Sequence, residues 1–571
     1  MTVERSLIDE WIAQDPDPQT KEELHSLISQ GNETELQARF SGRLEFGTAG
    51  LRGLLGAGPS RMNRLVVRQT AAGLGQYLLD TVPGAAQAGV VVGYDARRLS
   101  REMAQDTACV LCAMGLSVHL FDNLAPTPLV AFGVRQLSAA AGVMVTASHN
   151  PPQYNGFKVY WGTGAQISPP HDRGIASAIQ VASKSGALPW MSLSQSTATG
   201  RLAPIGPELV DDYLRGLETL SLHPRTHARS MLRIAYTPLH GVGRDLAFEA
   251  LLRSGFSDVH VVPTQAEPDG SFPTVNFPNP EEPGALDAVL KLANQVNADL
   301  ACANDPDADR LCAAIRRKNG SYRVLSGDEL GVLLGWNHLT HGPSPCAVGT
   351  TIVSSRLLGR IARRAGTAYY ETLTGFKWLA GEALVQEARG ILNIFAYEEA
   401  LGYGFMHFVR DKDGVSALVS LCELAAALAQ EGKTLLDLLE ELYREHGLLL
   451  SGQRTIALSP GTPNLGQLLR KNPPTHIAGL PILGVEDFLP GPKGFSPSDV
   501  LVFHLEGESR AIVRPSGTEP KVKCYYEVQD ALGPDETFEQ AESRARRFLD
   551  RLADTHLAEL RSLVTQSTEK R

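Results

Sequence analysis

Apolar and polar positions along the chain fall into short β-branched runs separated by longer stretches of helical period. Residues 89–94, 117–121 and 142–147 read as strands, and 100–114 reads as a helix between the first two. Strands that alternate with helices need crossover connections, and these build a largely parallel sheet. The pattern then recurs. Residues 233–236, 258–262 and 299–303 are strands set apart by helical stretches at 243–254 and 284–296. Another set places strands at 346–351, 368–372 and 394–396 and helices at 354–365 and 415–430. The tail differs, with strands at 449–456 and 500–505, a hairpin-like pair at 511–513 and 522–528, and a long charged helix from Thr537. The Pro- and Gly-rich stretch 460–497 is read as loops.

The expected fold class is α/β: three related α/β domains with mixed, mostly parallel sheets, plus a C-terminal α+β domain. Boundaries near 210, 325 and 448 divide the chain into 1–210, 211–325, 326–448 and 449–571. The length of 571 residues suits this division, since domains run to roughly 150 residues. With 43% hydrophobic and 20% charged residues, a disordered or collagen-like chain is excluded.

Charge narrows the partners. A net charge of −10 is the wrong sign for coating a nucleic-acid backbone, while a small anion needs only a local cluster of cations. The seven cysteines are sparse and odd in number, unlike a disulfide framework. The lone C-x-x-C at Cys109 and Cys112 lies in an apolar helical stretch without a second pair, so it is read as packing. The N-terminal residues lack an apolar signal region, and no apolar run nears the ~20 residues needed to span a bilayer. A cytoplasmic protein with no nucleic-acid or membrane partner is expected, and its oligomeric state is left open.

Chemistry concentrates in loops that follow apolar strands. After 142–145 comes T-A-S-H-N-P at 146–151, which puts Ser148 where α/β sheets bind ligands, as a nucleophile or phosphoryl carrier. A Ser-His-Asp hydrolase competes on account of His149. No G-x-S-x-G elbow surrounds Ser148, however, and neighbours on an extended segment point to opposite sides, so His149 is expected to be poorly placed as its base. After 300–303 comes N-D-P-D-A-D-R at 304–310, whose Asp305, Asp307 and Asp309 can converge on Mg²⁺ while Arg310 pairs with a phosphate. A calcium loop is excluded, because Arg310 and Arg316 stand where Gly and Glu are required. Arg514-Pro-Ser-Gly-Thr-Glu-Pro combines the Arg514 fork, the Ser516 and Thr518 hydroxyls and the open backbone at Gly517 into a phosphate nest. Glu398 and Glu399, after strand 394–396, can accept bonds from sugar hydroxyls. The E-G-K-T at 431–434 is rejected as a P-loop, because Ala427 occupies the position of its first glycine.

Together these loops resemble the α-D-phosphohexomutase superfamily of phosphoglucomutases, phosphomannomutases and phosphopentomutases, over nearly the whole chain. The resemblance implies four domains around a central cleft, a phosphorylated Ser148, and Mg²⁺ held by Ser148, Asp305, Asp307 and Asp309. It also matches Arg52 in F-G-T-A-G-L-R-G beside the phosphoserine, Lys158 in proton transfer or charge stabilisation, and Thr374, Gly375 and Lys377 at the sugar. Lys412 matches a lysine that contacts substrate, and Arg514, Ser516, Gly517 and Thr518 match the phosphate loop. Ala400 departs from the commonest G-E-E-S sugar loop and removes a hydroxyl, which leaves glucose, mannose and pentose phosphates unranked.

The resemblance implies a phosphoglucomutase, an intramolecular phosphotransferase that interconverts glucose 1-phosphate and glucose 6-phosphate through phospho-Ser148 and a sugar 1,6-bisphosphate. His149 or Lys158 would move the proton, and Arg52 and Arg310 would offset developing charge. Alternatives on the same site are a phosphopentomutase or phosphomannomutase, a non-catalytic sugar-phosphate sensor, and a metal-dependent phosphatase with an aspartate nucleophile.

Overall fold

The β-branched runs pair as their patterning demands. A computed structural model describes residues 3–47, 50–459, 462–515, 521–533 and 535–569. Its first sheet has six strands in the order Leu51–Leu54, Tyr154–Trp161, Ala141–Val145, Val90–Tyr94, Val118–Phe121 and Leu202–Ile205. Val90–Tyr94 and Ala141–Val145 are buried throughout, as parallel strands covered by helices on both faces must be. The second sheet orders Tyr322–Val324, Leu311–Arg316, Leu300–Asn304, Ile234–Thr237 and Val259–Val261. The third orders Ala368–Thr372, Cys346–Thr351, Leu392–Glu398 and Gly402–Gly404.

One device recurs in these three sheets. A central parallel strand ends, turns through a short loop, and returns as its antiparallel neighbour: Ala141–Val145 to Tyr154–Trp161, Leu300–Asn304 to Leu311–Arg316, and Leu392–Glu398 to Gly402–Gly404. Each return loop therefore leaves at the carboxyl end of parallel strands, where open α/β sheets place their ligands.

The fourth sheet is wholly antiparallel, in the order Leu448–Ala457, Lys521–Asp530, Arg510–Pro515, Leu501–Leu505, Leu480–Asp487 and His476–Ile477, with helix Phe538–Glu569 packed on it. The stretch 460–497 is not loop alone. It holds helix Leu465–Lys471 and the two outer strands His476–Ile477 and Leu480–Asp487. None of Leu480–Asp487 is buried, and Pro481 and Gly484 interrupt its apolar residues, so no unbroken apolar run marks it.

A continuous core ties the units together. Phe132, Tyr213 and Phe408 meet with ring centroids 5.1–5.6 Å apart, and Arg135 donates to the Phe408 carbonyl at 2.7 Å. All seven cysteines are free and buried, Cys109 and Cys112 among them. The last unit is latched to the third by Glu527, which binds Arg356 at 2.6 Å and Arg510 at 3.1 Å, while Arg510 donates to the Ile352 carbonyl at 3.0 Å. Replacing Glu527 with Gln strands two arginines, one of them fully buried, and should cost about 3 kcal/mol, read as a lower midpoint in urea unfolding.

Candidate active site

The nucleophile loop begins where Ala141–Val145 ends. Thr146 Oγ1 accepts the Ser148 N–H at 2.8 Å, and Ser148 adopts φ 52°, a left-handed conformation unusual for a residue with a side chain. That turn aims Ser148 Oγ across the unit boundary, where it donates to Asp305 Oδ2 at 2.7 Å. It also brings His149 Nδ1 within 3.1 Å of Ser148 Oγ. The expectation that His149 is poorly placed is thus corrected, because it assumed an extended segment and the positive φ folds the two side chains to one side. Burial, then the charges of Arg310 and Arg52, hold the His149 imidazole well below its ordinary pKa. These effects favour the uncharged ring.

Asp305, Asp307 and Asp309 are buried to within 1% of full burial, with ligand atoms within 4.8 Å of one another. Ala308, at φ 57°, turns the loop so that alternate carboxylates face inward. Glycine is required at Gly414, where a Cβ would lie 2.2 Å from the Arg310 carbonyl, so helix Gly414–Gln430 of the third unit abuts this loop directly. Lys158 Nζ binds Asp307 at 2.6 Å and Asp309 at 2.9 Å, Thr127 Oγ1 donates to Asp307 at 2.7 Å, and Lys412 Nζ lies 3.5 Å from Asp309. Burial and the two neighbouring carboxylates push Asp305 well above the usual range. Burial opposes the charge on Lys158 and Asp307 alike, yet each stays ionised: Asp307 and Asp309 raise the Lys158 pKa, and Lys158 lowers that of Asp307.

Two oxygens decide whether a cation fits. Asp307 Oδ1 and Asp309 Oδ1 are buried without a hydrogen-bond partner. Buried carboxylate oxygens without a hydrogen-bond partner are what a hard divalent ion satisfies, so the donor set fits a metal. Arg310 donates its backbone N–H to Asp305 at 3.0 Å, while its guanidinium rests on Glu281 at 3.3 Å and leaves Nε without a partner. Arg52 is exposed to solvent and donates to Asn150 Oδ1 at 2.8 Å.

The third unit supplies the next wall. Glu398 Oε1 accepts the Gly375 N–H at 2.6 Å, fixing the turn at Thr374 and Gly375, where φ is 122°. Glu399 accepts from Thr351 and Ser354, both at 3.2 Å, and burial together with Glu398 and Asp328 pushes its carboxyl up to about 7. Lys377 is half-buried, its ammonium 5.0 Å from the Trp378 ring centroid. Arg514 is half-buried and reaches the Tyr525 hydroxyl at 3.5 Å. Ser516, Gly517 and Thr518 lie outside the described residues, as do Thr48 and Ala49 of the first-unit loop. A cleft of about 860 Å³ is lined by His149, Arg310, Glu399, Ala400, Lys523 and Tyr525, drawn from all four units.

Sequence reasoning missed several groups that hold this centre. Thr127 and Glu281 carry no local motif. Asp411, which accepts from Tyr160 at 2.8 Å and Gln166 at 2.7 Å across a unit boundary, sat unused beside Lys412. Asp95 and Arg97 had a usable signal, since they directly follow the central strand Val90–Tyr94.

Three copies of one return loop and a fourth antiparallel unit, all facing a single cleft, set this chain in the class of phosphosugar mutases. The phosphoglucomutase/phosphomannomutase models follow the same units: alpha/beta/alpha domain I over 43–185, II over 211–320, III over 326–446, and the C-terminal domain over 489–537. The chain is 38% identical over 556 residues to the phosphopentomutase of Mus musculus, covering 91% of this chain and 89% of that protein. It is 34% identical over 585 residues to the glucose 1,6-bisphosphate synthase of Homo sapiens, covering 96% of this chain and 94% of that protein. A solved structure of a putative phosphomannomutase from Thermus thermophilus shares the fold, with a TM-score of 0.67 at 24% identity over 89% of this chain and 99% of that one. The chain belongs to the phosphoglucomutase/phosphomannomutase family and is an enzyme of the phosphotransferase and mutase type.

Lys377 provides a pH test. Burial, reinforced by Arg514 and opposed by Asp172 and Glu398, pushes its ammonium down to about 8. Its charge is present below that value and lost above it. KM for a sugar phosphate should therefore rise several-fold between about pH 7 and about pH 9, and Lys377→Arg should flatten that rise in steady-state assays.

Proposed function

We propose that the chain moves a phosphoryl group reversibly between the 1-position and the terminal hydroxyl of an aldose phosphate. The observation that carries this reading is the 2.7 Å contact from Ser148 Oγ to Asp305, inside a carboxylate set with two orphaned oxygens. Phospho-Ser148 donates to the free hydroxyl of the bound sugar. The Oγ–P bond breaks, a bond from phosphorus to the sugar oxygen forms, and the hydroxyl proton passes to His149. The bisphosphate reorients, its other phosphoryl group returns to Ser148, and the proton goes back to the sugar oxygen. Asp305, Asp307, Asp309 and Ser148 would hold Mg²⁺, which would supply charge stabilisation for the transfer.

The remaining residues bind and orient. Lys158, held ionised by two aspartates, contributes positive charge rather than a proton-accepting site. Arg52 and Arg310 offset developing charge, and Arg310 exchanges Glu281 for a phosphate of similar shape and sign. Arg514, with Ser516, Gly517 and Thr518, takes the distal phosphate in both orientations. Glu398, Glu399 and Lys412 address the sugar.

A pentose phosphate, moved between its 1- and 5-positions, is the favoured substrate. Ala400 lacks the hydroxyl of the commoner sugar loop, and the Mus musculus relative is named a phosphopentomutase. A second reading, glucose 1-phosphate to glucose 6-phosphate, is supported by the likeness to glucose 1,6-bisphosphate synthase over 96% of the chain. With Mg²⁺ and a bisphosphate activator, kcat/KM for ribose 1-phosphate should exceed that for glucose 1-phosphate and mannose 1-phosphate. The reverse order would favour the glucose reading.

Ser148→Ala should lower turnover by more than about a thousandfold with thermal stability retained, and full activity in that variant would sink the proposal. Binding without turnover in the unsubstituted chain would mark a sensor. Release of inorganic phosphate with Ser148 unlabelled would mark a phosphatase. Asp307→Asn should lower the initial rate and move its dependence on Mg²⁺ to higher concentration, measured by metal titration; an unchanged Mg²⁺ requirement would count against the metal assignment.

A further inference from the structure

Behind the nucleophile loop lies a buried arginine whose guanidinium bonds to the backbone of that loop rather than to the Ser148 hydroxyl or the three carboxylates. Arg97 is 3% exposed and directs its guanidinium at the backbone of the loop that carries Ser148. Nη2 donates to the carbonyls of Ser148, at 2.6 Å, and of Asn150. Nη1 donates to those of Pro151, at 2.9 Å, and of Tyr154, at 3.2 Å. One planar fork thus gathers four carbonyls from a seven-residue span, a task for which a point-charge ammonium has neither the geometry nor the donors.

Asp95 completes the unit. It lies 3.4 Å from Arg97 Nε, accepts the Arg97 backbone N–H at 3.0 Å and the Ser100 hydroxyl at 2.6 Å, and accepts the Thr146 hydroxyl at 2.6 Å. That same Thr146 oxygen receives the Ser148 N–H, so Asp95 and Arg97 grip the loop from both sides of the nucleophile. The second unit closes over the arrangement. The Phe272 ring, 2% exposed, lies 4.8 Å from Arg97 Cζ, and Gly270 passes so close that a Cβ there would sit 2.6 Å from Arg97 Cα. Phe272 belongs to the unit that carries Asp305.

We propose that Arg97 is the positioning residue that aims Ser148 Oγ, and that Phe272, stacked on its guanidinium, sets this aim relative to the carboxylates of the second unit. The left-handed turn at Ser148 is costly for a residue with a side chain and persists only where its surroundings hold it. The four carbonyl bonds and the Asp95–Thr146 pair are those surroundings. The consequence for catalysis rests on the phosphoryl-shuttle reading above, whereas the consequence for the loop does not.

The test compares the full chain with Arg97→Lys and Phe272→Leu. Steady-state kinetics, the rate of phosphate transfer from a sugar bisphosphate to Ser148, thermal midpoints and amide exchange across 148–154 are measured for each. Arg97→Lys should lower kcat about a hundredfold while KM stays within about twofold, with faster exchange confined to the loop. Phe272→Leu, which keeps an apolar side chain in place, should give a smaller loss of the same kind. Unchanged kcat in Arg97→Lys, or losses that follow a general rise in exchange across the first unit, would overturn the proposal. Unchanged kcat in Phe272→Leu would overturn the role of the second unit. Should the unsubstituted chain turn over no sugar phosphate, the shuttle reading falls, and exchange in the loop decides the positioning role alone: faster in Arg97→Lys supports it, unaltered refutes it.

Discussion

Three carboxylates buried within 4.8 Å of one another are the constraint around which this molecule is organised. Buried charges of one sign are tolerable only when paired and hydrogen-bonded. The compensating groups do not come from the loop itself. Lys158 and Thr127 reach in from the first unit and Lys412 from the third, so the carboxylates are stable only once three units have docked. The oxygens that protein groups leave orphaned, on Asp307 and Asp309, are those a divalent ion would satisfy.

The repeated return loop explains how different chemistries reach one cleft. In each α/β unit a parallel strand turns into an antiparallel neighbour at the carboxyl edge of the sheet, presenting a short loop there. The framework stays constant and the loop content changes: a hydroxyl in the first unit, carboxylates in the second, paired glutamates in the third. Function is set by these grafts, not by the fold that carries them. The overall charge of −10 is compatible with anionic substrates for the same reason, because Arg52, Arg310, Lys412 and Arg514 are gathered from four separate stretches of chain.

Much of this was legible in the sequence, and the failures have physical causes. Central strands such as Val90–Tyr94 and Ile234–Thr237 declare themselves because burial on both faces forces an unbroken apolar run. Leu480–Asp487, half-exposed toward the sheet margin, has no such run and was hidden among prolines and glycines. The T-A-S-H-N-P and D-P-D-A-D-R segments were readable because their residues act within one loop. His149 was misplaced because a single left-handed φ at Ser148 reverses the side-chain alternation that the sequence leads one to assume.

The sequence by itself determined the unit order, the return loops' chemical content and the spacing of the three aspartates. Only the tertiary structure decided that Lys158, 149 residues before Asp307, neutralises that carboxylate, and that Arg97 lies behind a loop 51 residues further on. Local sequence encodes local conformation, because turn and strand preferences act between near neighbours. The partner of a buried charge is settled by which side chains are brought within a few ångströms when the units pack, and one-dimensional spacing carries no record of that distance.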